Sequence, residues 1–441
     1  MTMIRSARRW MVLLAGLCPP ALAQGAPNAT LQPAHRAIDV DASKVRELVV
    51  TFDQDMNQSV HGVCGGGPSF PKVIKSAWKD ARTFVIETEL QPERVYALEL
   101  ACPGSHGFRT VAGQRLAATP WLFATTGPPL QTGVVDGAVA KMFVALRDKY
   151  SYRDRLGVDW NELELSSREE LLASPHLPAL ALRIKELLAT AQDPHITVRW
   201  MDSTLPTWQR VAAPNFDMRG LGKVLPKIER IGRIGLRART DDGIGYLYCS
   251  SFAREQRDDF DLVLEALRGL KNCKALVLDV RTNGGGDEML ARRLAGFFVP
   301  GEQVYAGHRV RDARQKDGFT EVQERSLRGN PEPDVFKGPV AVLMGPLNMS
   351  SCEAFLLMMK QAPQAVLVGA TSYGSSGNPQ THMLVPGLAV LLPSWQALRP
   401  DGSCFEGEGI APMIPVEATP EQLAVGDPVL DEALTRLRGS R

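Results

Sequence analysis

Residues 338–362 read GPVAVLMGPLNMSSCEAFLLMMKQA, and the rest of the chain is arranged around this stretch. Val340 to Met344 is a short continuous apolar run, the pattern of a strand buried on both faces. Gly345-Pro346-Leu347-Asn348 breaks it, and Ser350 then opens a helical run ending near Ala362. Strand, tight turn, serine and helix is the local geometry that presents a serine hydroxyl at a strand end. It also aims the first free amide hydrogens of the helix at the same point. The same residues have a second reading. Ser350 and Glu353, three apart, form a capping box that starts a helix and needs no chemistry.

On either side of this stretch, strands and helices alternate. Gly245-Tyr246-Leu247-Tyr248 reads as a strand and Asp258 to Leu270 as a helix with Phe260, Val263, Leu264 and Leu267 inward. Ala275 to Val280 is a buried strand that runs into Asn283-Gly284-Gly285-Gly286 and then a helix. Ala365 to Val368 and Leu388 to Leu392 are further apolar strands, so residues 206–418 predict a mixed α/β layer fold. A last helical segment, 419–441, starts at Thr419, an N-cap ahead of Pro420 and Glu421. Upstream, residues 132–200 have a helical period. Val139, Met142, Phe143 and Leu146 share one apolar face, and Leu180, Ile184, Leu187 and Leu188 share another. This predicted helical subdomain ends at Asp193-Pro194-His195. Before the Gly127-Pro128-Pro129 linker, residues 27–126 show short β-prone runs between turn signals and predict a small all-β domain.

A chain of 441 residues is long enough for two or more domains. The formal charge is +1, from 50 basic and 49 acidic side chains, which gives no support for a nucleic-acid partner. Residues 1–23 read as a secretory signal peptide: basic Arg5, Arg8 and Arg9, an apolar run from Trp10 to Leu17, and the small-x-small site Ala21-Leu22-Ala23. The expectation is export to a periplasm or to the outside, with no later membrane span. Six cysteines remain after Cys18 leaves, and Cys64 and Cys102 are the natural disulfide pair of the N-terminal domain. His61-x-x-Cys64 and Cys102-x-x-x-His106 also have metal-ligand spacing, a competing reading. Cys352 and Cys404 suggest a second bridge.

Three phrases in order carry a family resemblance: ALVLDVRTNGGG at 275–286, MSSCEAF at 349–355, and LVGATSYGSSGNPQ at 367–380 followed by PSWQALRPDGSCFEGEGI at 393–410. Together they resemble the tail-specific, or C-terminal processing, serine peptidases, whose core is a crotonase-like α/β fold. The N-terminal phrases ELVVTFDQDM and DARTFVIETELQPERVYALEL resemble bacterial immunoglobulin-like domains. The implied architecture is an N-terminal all-β Ig-like sandwich, a helical subdomain and a crotonase-like α/β peptidase core. In one branch of the family the base is a lysine. Ser375 stands in the matching position here, and no lysine follows Lys360. The other branch, similar to the tricorn core and to retinoid-binding relatives, uses Ser, His and Glu.

The resemblance to that branch implies Ser350 as nucleophile, His195 as base and Glu406 as the acid that orients it, with Glu408 as a rival acid. A serine hydroxyl needs a base to take its proton, and a neutral imidazole fixed by a carboxylate does this near neutral pH. The amide hydrogens of Ser351 and Gly285 are the expected oxyanion donors. The implied substrate is a peptide or an unfolded protein tail, and no metal or organic cofactor is implied. Residues 201–244 are too few for the PDZ module that many relatives carry. Two other functions fit the same resemblance: an inactive binding protein on a peptidase scaffold, with Ser375 marking a decayed site, and an envelope scaffold led by the Ig-like domain.

Overall fold

The apolar run Val340–Met344 forms a strand whose five residues are all buried. In the computed structural model, which describes residues 25–101, 107–225 and 227–439, this strand lies inside a seven-stranded sheet. The order is Glu229–Ile231, Gly235–Arg239, Ile244–Cys249, Ala275–Asp279, Val340–Met344, Ala365–Gly369, Ile414–Pro415. The first three strands pair antiparallel, and pairing is parallel from Ile244–Cys249 onward. Leu276, Leu278, Val340, Val342 and Met344 join one core with the helices Arg257–Gly269, Glu288–Ala295 and Ser351–Met359. The alternate residues Val277, Ala341 and Leu343 join a second core with Leu221 and the helix Pro428–Gly439. Side chains alternate across a strand, so a strand covered on both faces has no polar positions and reads as an unbroken apolar run.

Three helices, Thr132–Asp148, Trp160–Leu172 and Leu177–Leu188, form the predicted helical region. Their apolar faces share a core with a four-stranded sheet of Pro379–Val385, Leu388–Pro393, Thr197–Trp200 and Ser203–Pro206. Val95, Leu122 and Ala124 of the N-terminal region belong to that same core, so the N-terminal domain is packed directly on the helices. This domain has a four-stranded and a three-stranded sheet around Leu48, Val50, Phe84, Trp121 and Phe123. Between Met201 and Ile244 the chain supplies strand Ser203–Pro206, helix Met218–Val224 and the two outer strands of the large sheet. The proposed signal segment, 1–23, lies outside the described residues. Among the described residues no helix is long and apolar enough to cross a membrane.

Two expectations need correction. Cys352 and Cys404 are both free thiols, so no disulfide joins the serine helix to the 404 loop. Cys352 is fully buried beneath the helix start, where burial pushes its thiol well up. The C-terminal segment is two helices, Pro420–Val425 and Pro428–Gly439, with Gly426-Asp427 between them. Thr419 caps the first, and Asp427 accepts the Leu430 amide at 3.1 Å to start the second. Cys64 is disulfide-bonded and so cannot serve as a thiolate ligand; Cys102 and His106 lie outside the described residues.

The break at Asp427 has a use. Arg281, buried at the end of strand Ala275–Asp279, holds Asp427 through both terminal nitrogens, at 2.8 and 2.7 Å. It also holds Asp279 at 2.7 and 3.0 Å and the Asn215 carbonyl at 2.9 Å. Tyr246 adds a hydroxyl to Asp279 at 2.8 Å. One guanidinium thus ties the sheet, the 215 turn and the last helix at the point where the glycine turn begins. Breaking a buried pair strands a charge, which typically costs about 3–5 kcal/mol. Arg281→Met leaves two buried carboxylates facing each other. It is expected to lower stability by about that amount, read as a fall in urea midpoint at constant slope.

Candidate active site

Ser350 sits between the strand Val340–Met344 and the helix Ser351–Met359, with φ 58° and ψ −125°. This is a conformation that side-chain-bearing residues rarely adopt, and holding it costs about 1–3 kcal/mol unless the surroundings impose it. Here they do. The Ser350 amide donates to the Ser375 carbonyl at 2.7 Å and to Glu353 Oε2 at 3.2 Å. Buried Asn348 accepts the Gly345 amide at 2.7 Å and donates to the carbonyls of Val280 and Asn283. The turn is therefore stitched to the glycine loop across the sheet.

Glu353 does more than cap the helix. Its carboxylate is fully buried and also accepts the Gly374 amide at 2.7 Å, the Ser375 amide at 2.9 Å and the Ser372 hydroxyl. Burial pushes it up to about 7, against the pull of these donors. The loop 372–375 is thus fixed to the start of the serine helix.

Ser375 then faces the other half of the site. His195 Nδ1 lies 2.7 Å from Ser375 Oγ, and the Ser375 hydroxyl donates to Glu406 Oε1 at 3.1 Å. Glu406 Oε2 accepts the Ser376 amide at 2.8 Å. Glu406 thus reaches the imidazole through a serine rather than directly. If the serine hydrogen points to the carboxylate, its oxygen must accept from the ring, which puts the ring proton on Nδ1 and leaves Nε2 as a lone-pair base. The rival acid Glu408 is largely exposed and pairs with Arg399 at 3.0 Å. Asp193 is buried behind the histidine, accepting the His195 amide at 2.9 Å and the Tyr150 hydroxyl at 3.0 Å. Burial lowers His195, with Asp193 opposing, so the ring is neutral near pH 7. Burial and the Asp193 charge both push Glu406 well above the ordinary carboxylate range.

The oxyanion expectation for Gly285 is corrected. Its amide donates to Asn283 Oδ1 at 2.8 Å, inside a buried turn, and is already committed. What Gly285 supplies is proximity. With φ at 95°, a Cβ there would lie 2.5 Å from the Met349 carbonyl oxygen and 2.9 Å from the Ser351 amide. Only glycine lets this backbone touch the serine turn. The Ser351 amide, first in its helix, has no intrahelical acceptor and is available to an incoming anion. The Ser351 side chain turns away, to the Gly286 carbonyl at 2.7 Å.

The structure therefore brings Ser350, His195 and Glu406 around one residue, Ser375. In the sequence this position stands out as a serine in the lysine slot, consistent with either the histidine branch or a decayed site. Its signal was present: Ser375 falls where one branch places its base. Glu353, Asn348 and Asp193 had no comparable signal, since a helix-cap glutamate, a turn asparagine and a turn aspartate are common.

Residues 243–416 match the family model described as peptidase family S41. The chain is 27% identical over 191 residues to the carboxy-terminal processing protease CtpB of Bacillus subtilis, covering 43% of this chain and 37% of that protein. It is 24% identical over 177 residues to CtpA of the same organism, covering 40% and 36%. The chain thus spans little more than a third of the length of these relatives. A crystal structure of a putative peptidase from Parabacteroides merdae shares the fold, with TM-score 0.59 and 23% identity, covering 68% of this chain and 96% of that one. Mature CPAF also shares it, at TM-score 0.52 and 11% identity, covering 69% and 97%.

Glu353→Gln tests the buried hub. An amide offers one acceptor oxygen and turns an NH2 group toward two donors, and each stranded buried donor costs about 1–3 kcal/mol. The variant is expected to lose a few kcal/mol in denaturant unfolding, and slow exchange of the Gly374 and Ser375 amides should become fast.

Proposed function

We propose that this chain, which carries a peptidase family S41 domain at residues 243–416, is an exported serine endopeptidase acting on peptides or protein tails. The observation that carries this reading is the position of Ser375. Its carbonyl takes the Ser350 amide, and its hydroxyl links His195 to Glu406. Ser350 is the nucleophile, because it is half-buried and strained at a helix start, whereas Ser375 is fully enclosed. His195 Nε2 takes the Ser350 proton as the hydroxyl attacks the scissile carbonyl, and returns it to the leaving amine. The Nδ1 proton stays on the ring, shared with Ser375, whose own hydroxyl leans on the Glu406 carboxylate. The Ser351 amide donates to the oxyanion of the tetrahedral intermediate. Water then hydrolyses the acyl-enzyme by the same route in reverse.

Export is supported by the basic, apolar and small-residue pattern of residues 1–23 and by the disulfide at Cys64, since such bonds persist in oxidising compartments. The two-sheet N-terminal domain is assigned to the immunoglobulin-like class on its strand pattern and shared core.

A fluorophosphonate probe tests the chemistry. Labelling is expected at Ser350, absent in Ser350→Ala and reduced at least about 100-fold in rate in His195→Ala. Ser375→Ala should retain Ser350 labelling at a rate reduced roughly 10- to 100-fold; labelling of Ser375 itself would reverse the assignment. The pH profile gives a second test. The working form needs Glu406 ionised, and its pKa is raised, so peptidase kcat should climb with pH through a range above that of ordinary carboxylates. Asp193→Asn removes a charge that raises both Glu406 and His195. Whichever group limits the rate, the rising limb must move to lower pH.

A further inference from the structure

A cleft of about 710 Å³ opens between the N-terminal domain, the end of helix Leu177–Leu188 and the segment after strand Ser203–Pro206. Leu98, Pro120 and Leu122 line it from the N-terminal domain, Ala189 from the helical side, and Trp208 and Val211 from the following segment. The ionisable lining residues are His35, Arg36, Lys185, Glu186 and Glu99, the last already accepting the Ala101 and Thr119 amides. Arg36 is paired with Glu186. Lys185 is half-buried, and no carboxylate of a described residue lies within ion-pair distance of its ammonium. His35 accepts the Leu122 amide on Nδ1 at 3.2 Å, which places its proton on Nε2 as a donor. Apolar walls beside an unpaired cation and a neutral donor are complementary to a carboxylate attached to apolar groups.

The cleft is connected to the active site. Thr207, in its wall, donates to the Ile196 carbonyl at 2.8 Å, one residue from His195. Arg210, just beyond, bonds the Tyr373 hydroxyl at 2.6 Å and stacks on its ring at 4.3 Å, two residues before Ser375.

Resting on the peptidase reading above, we propose that this cleft docks an extended peptide of the substrate, with an apolar side chain between Leu122 and Trp208 and a carboxylate on Lys185. The carboxylate comes either from a chain end or from an acidic side chain, and the two are separable.

The experiment uses full-length Ser350→Ala protein and fluorescence anisotropy with three versions of one short apolar peptide. One has a free C-terminal acid, one a C-terminal amide, and one an amide with glutamate at the last position. Tight binding of the free acid alone identifies a chain end; equal binding of the first and third identifies a carboxylate of either source. In both cases Lys185→Met added to the protein should weaken binding about tenfold, and Ala189→Trp should block it by filling the cleft. Equal binding of acid and plain amide, or indifference to Lys185→Met, overturns the proposal. Fluorophosphonate labelling of the wild-type protein keeps the two readings apart. Normal labelling without Lys185-dependent binding removes only the cleft, whereas carboxylate-dependent binding without labelling removes only the hydrolase.

Discussion

The site depends on one buried carboxylate. Glu353 takes hydrogen bonds from Ser350, Ser372, Gly374 and Ser375, which come from two segments about twenty residues apart. Without it, the serine turn and the loop that meets His195 and Glu406 would be left with two backbone bonds, from the Ser350 amide to the Ser375 carbonyl and from the Tyr373 amide to the Asn348 carbonyl. Enclosing a carboxylate is costly, which is why burial pushes Glu353 up to about 7. Four donors offset much of that cost, and the arrangement tolerates little change because each donor would otherwise be buried and unpaired. Here the same residue that caps a helix also registers one part of the site against another.

A second constraint is backbone touching backbone. Gly285 lies so close to Met349 and Ser351 that no side chain fits, and the Asn348 side-chain amide bridges the two turns by donating to the Asn283 carbonyl. Arg281, two residues before Asn283, fixes the start of that turn to the last helix through Asp427. The strain at Ser350 is sustained by this framework. Strain in the turn is offset by the bonds of the Ser350 amide to Ser375 and Glu353 together with the hydrogen bonds of the neighbouring loop.

The sheet was legible because its physics is local. A parallel strand buried on both faces must be apolar throughout, and Val340–Met344 and Ala275–Asp279 could be read directly. Ser350 and its helix were legible for a similar reason, as a turn and a cap leave residues of fixed type at fixed spacing. The rest concerned pairings between distant segments. That Glu406 and not Glu408 turns inward depends on Arg399 claiming Glu408 at the surface, three-dimensional information that adjacent residues do not encode. That Gly285 offers close approach and not a hydrogen bond depends on which way Asn283 points. The break in the last helix at Asp427 reflects a partner 146 residues away, and a capping pattern at Thr419 could not reveal it.

The position of Ser375 also explains an electrostatic feature that is at first unfavourable. Asp193, Glu353 and Glu406 are all enclosed near His195, and each of the three is raised by burial. A lysine at 375 would neutralise part of this charge; a serine does not. The Arg155 guanidinium, held by the Gln192 carbonyl at 2.8 Å, pulls Asp193 and Glu406 back down only in part. In the resting state the imidazole is neutral, because burial disfavours its charge more than Asp193 favours it. In the mechanism proposed above, the ring becomes an imidazolium during proton transfer, and whichever of these carboxylates are ionised then stabilise it. The serine relay keeps Glu406 one hydrogen bond away, so the ring can gain a proton at Nε2 without losing the one at Nδ1. A carboxylate cluster without a lysine is thus suited to a base that is neutral before the reaction and charged during it.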